Sequence, residues 1–298
     1  MSLFDSLVSQ ALKAQGELAP LRVVVEKELL HHDILREMSA AGLLHSLTFI
    51  GGTCLRACYG SNRLSEDLDF TGGKDFKRQT LAELGNILVK RLQVKYGLEV
   101  EVSEPIKETG NFDTWKLTVI TRPQQKSLPV QRIHIDICAI PSYDRKPMTL
   151  RNFYDVEMGT SGLIVQAQSR EEILADKMVA FVLRKNRIKN RDLWDIGWLK
   201  QQNVTLPLEL VGRKIADHKG SREDFMELLG KGLRSLGENP AIKKDFIHEM
   251  RRFFPPRVIS RTVEKEEFWV YWVDLVHRES ARVEQSLVGE EGSGSFLM

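Results

Sequence analysis

The chain has 298 residues, of which 42% are hydrophobic and 28% are charged. At roughly 150 residues per domain, this length predicts about two globular domains, and the composition excludes a disordered, collagen-like or coiled-coil protein. The 43 basic and 41 acidic residues leave a net charge of only +2, which excludes a histone-like binder with a positive field over its whole surface. Any basic surface must therefore be a local patch.

The cysteines and the apolar segments predict a protein of a reducing compartment. Cys54, Cys58 and Cys138 are an odd set without a CxxC pair, which fits neither a disulfide framework nor a zinc ribbon. The first residues lack a basic start followed by an apolar run, and no stretch reaches the roughly 18 uncharged residues that span a bilayer. We expect a cytoplasmic protein with no membrane partner.

The first half of the chain predicts both helices and strands. Apolar residues recur at helical spacing over 21–40, and a short apolar run at 47–50 stops at Gly51-Gly52 before a short helix. The DLDF stretch after Arg63 has the pattern of a strand. The remaining elements of this half are a helix over 79–96 and strands that start near Leu98, Thr114 and Arg132.

The second half predicts helices almost throughout. They are expected near 169–184, 191–203, 206–218, 222–236, 240–254 and 262–287. The composition changes near 159–162, which predicts one domain over 1–160 and a helical domain over 161–298. No linker rich in proline or serine separates them, so we expect them to pack around a cleft.

The turn Gly51-Gly52-Thr53 is the first candidate for ligand binding. Glycines between a strand and a helix let the backbone approach a ligand closely, and a helix start offers free N–H groups to phosphate oxygens. Taken alone, the pattern is more often an ordinary glycine turn.

Three aspartates are candidate ligands of a divalent cation. In a strand, Asp67 and Asp69 would project from one face, and Mg²⁺ prefers one or two carboxylates plus substrate phosphates. Asp136 alternates with isoleucines on a later strand, where a buried carboxylate needs a partner. A solvated acidic strand end remains the alternative for Asp67 and Asp69, and His134 is interpreted as structural and left out of the site.

The helix that starts at Ser169 carries a lysine on its apolar side. Ser169 and Glu172 have the spacing of a capping box, and Lys177 falls on the stripe formed by Leu174 and Phe181. Its ammonium either holds a triphosphate or extends past the edge of the core to water.

A basic run from Arg184 to Arg191 is the candidate contact for phosphates of a nucleotide or a nucleic acid. It leads into Asp192 and Asp195, which share one face of a helix. A local network of salt bridges between these aspartates and the run is the alternative.

The order of these motifs resembles that of the AbiEii/AbiGii nucleotidyltransferase-like toxin family. The motifs are GG-T at Gly51–Thr53, R-x-S-x-x-D-x-D-F from Arg63 to Phe70, the strand aspartate Asp136, E-x-x-x-x-K from Glu172 to Lys177, and R-D-x-x-D-I from Arg191 to Ile196. The glycine turn and DxD are shared with the wider DNA-polymerase-β-like nucleotidyltransferases, whereas the last two motifs are typical of AbiEii. Thr53 stands where the family usually has serine, and it keeps the hydroxyl.

The resemblance implies an α+β fold: a nucleotidyltransferase core with a mixed β-sheet flanked by helices, followed by a helical C-terminal domain that completes the active-site cleft. It also implies the toxin of a bacterial toxin–antitoxin or phage-defence system, with an antitoxin encoded by an adjacent gene. Related toxins add nucleotides from NTP to the 3′ end of tRNA and so stop translation.

The resemblance also implies a role for each motif residue. Asp67, Asp69 and Asp136 would hold Mg²⁺; Gly51, Gly52, Thr53, Arg63 and Ser65 would contact the nucleotide; Lys177 would bind its β- or γ-phosphate; and Asp192 or Asp195 would position Lys177 or the nucleotide. Transfer to a protein or a small molecule by the same core is the alternative reaction. A binding module without turnover is disfavoured, because three aspartates and a lysine are all retained.

Overall fold

The computed structural model describes residues 2–105, 112–122, 124, 130–184 and 188–293. The chain forms two compact units, of which the first comprises Met1–Gln168 and Phe253–Pro255. The second comprises Ser169–Arg252 and Pro256–Met298. The first unit extends beyond the expected boundary at residue 160 because it includes one more strand, Ile164–Gln168.

The first unit combines helices with a sheet. Its helices are α1 Leu3–Ala14, α2 Arg22–Ala40, α3 Gly51–Ala57 and α4 Leu84–Tyr96, with 3₁₀ turns at Gly16–Leu21 and Arg78–Leu81. Its strands are β1 Thr48–Ile50, β2 Leu68–Thr71, β3 Glu99–Ser103, β4 Phe112–Ile120, β5 Gln131–Cys138, β6 Arg145–Thr149 and β7 Ile164–Gln168. The sequence did not predict α1, β6 or β7, and the single helix expected over 79–96 is a 3₁₀ turn followed by α4.

The seven strands form one mixed sheet in the order β3-β4-β5-β2-β1-β7-β6. Strand β2 pairs in parallel with β5, and β1 pairs in parallel with β7, whereas the other neighbours are antiparallel. The expected mixed sheet flanked by helices is thereby confirmed.

Alternation along the strands separates an apolar face from a polar face. Ile133, Ile135 and Ile137 of β5 are each at most 1% exposed, and the residues between them are more accessible. Helix α2 packs against β5 and α4 packs against β3, which covers the apolar side. Asp136 lies on the polar side.

The second unit is helical, as the sequence predicted. Its elements are α5 Arg170–Leu183, α6 Asn190–Gln201, α7 Leu208–Asp217, α8 Arg222–Glu238, α9 Pro240–Met250, the short α10 Pro256–Val258, a π-helical turn Ile259–Val263 and α11 Glu266–Ser293. Stacked rings of Trp194 and Trp272, 5.3 Å apart, join α6 to α11. Gly197 makes room for this packing, because a Cβ there would lie 2.0 Å from the ring of Trp272.

Within the ranges that the structure describes, no helix is both long enough and apolar enough to cross a membrane. The thiols of Cys54, Cys58 and Cys138 are buried, and none of them is in a disulfide among the described residues.

Candidate active site

The glycine directly after strand β1 leaves room for a neighbouring aspartate. Gly51 begins α3 with a φ of +76°, and a Cβ at this position would lie 2.8 Å from Oδ2 of Asp69. The preceding residue, Ile50, pairs with Asp69 in the antiparallel ladder of β1 and β2. Only glycine therefore lets this carboxylate lie against the start of α3 without strain.

Asp69 and Asp136 are side by side on adjacent strands. They are partners in the parallel ladder of β2 and β5, where neighbouring strands are about 4.8 Å apart. Both side chains are partly accessible to solvent, and Oγ1 of Thr114 on β4 donates a 2.6 Å hydrogen bond to Oδ1 of Asp136. The sheet thus holds two like charges together at an accessible position.

Asp67 precedes β2 and is held against β5. Its Oδ1 accepts a 3.1 Å hydrogen bond from the backbone N–H of His134 and lies 3.4 Å from Nδ1 of that imidazole. His134 was not among the site residues predicted from the sequence, although the alternation of β5 places it on the same face as Asp136. The structure therefore adds His134 to the surroundings of the aspartates.

The donor set suits a cation that the substrate helps to coordinate. Among the residues that the structure describes, no group of three or more His, Cys, Asp or Glu side chains is arranged to hold a metal ion. Asp69 and Asp136 nevertheless offer hard carboxylate oxygens on neighbouring strands, and Mg²⁺ characteristically takes one or two carboxylates plus phosphate oxygens. The pair fits such an ion, and Asp67 lies one residue before the same ladder.

Two predicted phosphate ligands are hydrogen-bonded inside the protein. The hydroxyls of Thr53 and Ser65 lie 2.6 Å apart, and both residues are buried. Thr53 Oγ1 also donates to the backbone carbonyl of Asp67. These hydroxyls fix the approach to the DxD motif, and their contact with phosphate stays a prediction, as does that of Gly52, which is buried in α3.

A buried ion pair supports the loop before Asp67. Glu28 accepts a 2.9 Å hydrogen bond from the backbone N–H of Ser65 and lies 3.2 Å from Nε of Arg56. The hydroxyl of Tyr154 donates to the same carboxylate, and burial, followed by the charge of Glu28, raises the pKa of this tyrosine well above its usual value. The three donors to this carboxylate offset the free-energy cost of its desolvation. They also hold the loop in one conformation.

Arg63, a predicted nucleotide contact, is 2% exposed. Its Nη1 donates a 3.0 Å hydrogen bond to the carbonyl of Leu64, and its guanidinium lies 5.5 Å from the ring centre of Phe253. These contacts fix the course of the loop, and a direct contact with nucleotide stays a prediction.

The second unit holds the remaining motif residues in one cluster. Nζ of Lys177 on α5 lies 2.7 Å from Oδ1 of Asp192 and 2.9 Å from Oδ2 of Asp195, both on α6. The lysine side chain is 12% exposed, and the two aspartate side chains are 3% and 1% exposed. The two aspartates thus hold the ammonium through ion pairs, and the role of the three residues in the reaction stays a prediction.

The charge state of this cluster follows from its cations. Burial by itself would raise the pKa of Asp192, but Lys177, Lys189 and Arg184 outweigh that effect and lower the pKa to about 2. Burial also lowers the pKa of Lys189. Asp192 is therefore ionised at neutral pH and has three basic residues near it.

The basic run lines a groove within the helical unit. The groove has a volume of about 700 Å³, and its charged lining comprises Arg184, Arg191, Lys231, Arg252, Asp245 and Glu249. Arg191 pairs with Glu249 at 3.2 Å, and Arg184 lies 3.4 Å from Asp192. Lys185, Asn186 and Arg187 lie outside the described residues. The structure therefore describes the run only at Arg184 and over 188–191.

Comparisons with known proteins identify the family of the chain and structures of similar fold. The model of the family described as "Nucleotidyl transferase AbiEii toxin, Type IV TA system" matches residues 33–268. The solved structure of MenT4, a nucleotidyltransferase toxin from Mycobacterium tuberculosis, is similar with a TM-score of 0.51 and 16% identity, over 96% of this chain and 98% of MenT4. JHP933 from Helicobacter pylori has a TM-score of 0.47 and 17% identity, over 89% of this chain and 98% of its own. A search of curated proteins finds no match.

Proposed function

Because the chain belongs to the AbiEii family of nucleotidyl transferase toxins of type IV toxin–antitoxin systems, we propose that it transfers nucleotides from NTP to an RNA acceptor. The acceptor in this proposal is the 3′ end of tRNA, and the consequence is a block of translation in the cytoplasm. Family membership implies a cognate antitoxin, and defence against phage is the proposed setting.

The observation that carries the proposal is the Asp69–Asp136 pair beside Gly51. In the proposed reaction, the 3′ oxygen of the acceptor forms a bond to the α-phosphorus of NTP. The bond from that phosphorus to the β-phosphate oxygen breaks, pyrophosphate leaves, and the proton of the hydroxyl passes to a nearby base. Transfer of this kind is catalysed mainly by positioning and by neutralisation of charge.

We propose Mg²⁺ as the cation that Asp69 and Asp136 hold, with Asp67 as the third carboxylate. A bound divalent cation neutralises phosphate charge and lowers the pKa of the acceptor hydroxyl. The chain itself contributes the fixed carboxylates: Thr114 orients Asp136 through its 2.6 Å hydrogen bond, and His134 orients Asp67. Both contacts leave carboxylate lone pairs for other ligands.

Lys177 is proposed to bind the β- or γ-phosphate. Its side chain is 12% exposed, whereas those of its two carboxylate partners are 3% and 1% exposed, so the lysine is the most accessible of the three to a ligand. Arg184 and Lys189 also act on Asp192, so several basic residues surround the two carboxylates. Such a site attracts a polyphosphate.

The choice of RNA as acceptor rests on the basic groove. Arg184 and Arg191 bring the basic run to a groove that Lys231 and Arg252 also line. Basic residues grouped on one surface are the usual footprint of nucleic-acid binding in a protein of low net charge. A protein or small-molecule acceptor does not require this arrangement.

The proposal is tested by incubating the protein with each labelled NTP, Mg²⁺ and either total RNA or total protein, followed by gel separation. Label in RNA that disappears in Asp69→Asn is expected. Asp75→Asn is the matched control, because Asp75 is an exposed aspartate of the same unit. Label in protein bands, or equal labelling of RNA by the Asp69→Asn variant, would contradict the proposal.

A further inference from the structure

Two basic side chains, Lys116 and Arg132, lie on the same face of the sheet as the carboxylate pair. Along β5, Arg132, His134 and Asp136 alternate with buried isoleucines and so share the polar face. Lys116 of β4 is the ladder partner of His134 and joins them. At about 3.4 Å per residue, His134 lies about 7 Å and Arg132 about 14 Å along β5 from Asp136.

Lys116 and Arg132 are exposed, and in the part of the chain that the structure describes neither makes an ion pair or a side-chain hydrogen bond. Other cations of this unit behave differently: Arg56 pairs with Glu28 at 3.2 Å, and Arg78 pairs with Asp113 at 2.5 Å. Acidic positions on the same face of the ladder are Asp136 of β5 and Glu101 of β3, the partner of Thr118. Lys116 and Arg132 therefore keep their charge available to a ligand.

We propose that Lys116 and Arg132, the sheet-face strip, bind backbone phosphates of the RNA acceptor next to its reacting end; this inference rests on the proposed function. The strip starts about 7 Å from Asp136, where Lys116 is level with His134, and continues away from the carboxylate pair along β5, as a polymer strand must when its end lies at the reaction site. A triphosphate is compact and would need its cations gathered at the pair. Lys116 and Arg132 also offset the repulsion that Asp67, Asp69 and Asp136 exert on an approaching polyanion.

The strip is tested with the double variant Lys116→Gln/Arg132→Gln in the full chain. Binding of a single-stranded oligoribonucleotide that ends in a 3′ hydroxyl is measured over a series of salt concentrations, together with the KM for RNA and for NTP. Each lost phosphate contact on a single strand reduces the slope of log K against log salt by about 0.7, so the double variant should flatten it by about 1.4. The KM for RNA should rise while the KM for NTP stays unchanged.

The matched control is Lys90→Gln. Lys90 is an exposed lysine of the same unit on α4. That helix packs on the other face of the sheet, since Gly85 of α4 approaches Val102 of β3. This variant should bind RNA with the wild-type slope, and all three proteins should have the same melting temperature because surface substitutions change stability little.

The outcomes separate the strip from the proposed function. Equal salt slopes for the wild type and the double variant, with transfer to RNA intact in both, would overturn the inference and leave the function standing. A raised KM for NTP with an unchanged KM for RNA would also overturn it, because the strip would then serve the triphosphate. No transfer to RNA by the wild-type protein would refute the proposed function itself.

Discussion

Gly51→Ala is expected to impair catalysis far more than stability. The added methyl group would lie 2.8 Å from Oδ2 and 3.3 Å from Cγ of Asp69, at a φ of +76°. Ordinary van der Waals contact begins near 3.4 Å, so the carboxylate must move by about half an ångström or more to relieve the overlap, at a site where a misplacement of about 1 Å costs about 100-fold in rate. We expect the rate of nucleotide transfer to fall by about tenfold to 100-fold.

The cost in stability is calculated from the backbone. A non-glycine residue in the left-handed region costs about 1–2 kcal/mol. For a folding unit of this size, 1 kcal/mol corresponds to a shift in melting temperature of about 2–4 °C. The variant should therefore melt about 2–8 °C below the wild type and still be folded at assay temperature.

Gly162→Ala separates backbone strain from displacement of the carboxylate. Gly162 also has a φ of +76°, but nothing lies within 4 Å of the position that its Cβ would occupy. It should lose a similar amount of stability and keep the wild-type transfer rate. Steady-state kinetics and thermal melts of both variants make the comparison. A Gly51→Ala protein with the wild-type rate, or equal rate losses in the two variants, would contradict the prediction that the added methyl group displaces the carboxylate of Asp69.

The helical cluster, the carboxylate pair and two buried histidines give three further predictions. Lys177→Met leaves two buried carboxylates without their lysine, so it should lower the free energy of unfolding by about 3–5 kcal/mol in urea titrations; an unchanged midpoint would contradict the ion-paired arrangement. Asp136→Asn should abolish transfer, whereas Thr114→Val should reduce it only in part, and kinetics that rank them in the reverse order would remove Asp136 from the site. Burial lowers the pKa of His31 and of His32 to about 4, so the unfolded chain binds their protons below about pH 6.5 and the folded chain binds them only near pH 4. Stability should fall as the pH drops through this window, by about 2 kcal/mol for each histidine at pH 5; equal urea midpoints at pH 7.5 and pH 5 would contradict this.

Asp69 and Asp136 could be predicted as site candidates because the sequence patterns that mark them are local. Alternation of Ile133, Ile135 and Ile137 put Asp136 on the polar face, and the DxD motif marked a second strand. Which strands become neighbours is a property of the whole sheet. The register that sets Asp69 beside Asp136 therefore appears only in the fold.

The last strands escaped prediction for a physical reason. Strand β6, RKPMT, is an edge strand with a proline and mostly exposed residues, and it lacks the apolar alternation that marks a strand. Strand β7 pairs with both β6 and β1, so its place depends on partners distant in the chain. This is why the change in composition near residue 160 did not mark the end of the first unit.

The spacing of residues in the sequence did not determine the contacts of Lys177. Its position on an apolar stripe was compatible with a side chain that reaches water or one that binds phosphate. Contact between α5 and α6 instead places it between Asp192 and Asp195, which lie 15 and 18 positions further along the chain. A lysine enclosed in this way could not be deduced before the packing of the two helices was known.

The Asp69–Asp136 pair is proposed to catalyse addition of nucleotide to the 3′ end of tRNA. Purified tRNA is incubated with NTP, Mg²⁺ and either the wild-type chain or Asp69→Asn, and the mass of its 3′-terminal fragment is measured. We expect a gain of whole nucleotide residues with the wild type and an unchanged mass with the variant. An unchanged mass with the folded wild-type protein, or the same gain with both proteins, would contradict this proposal.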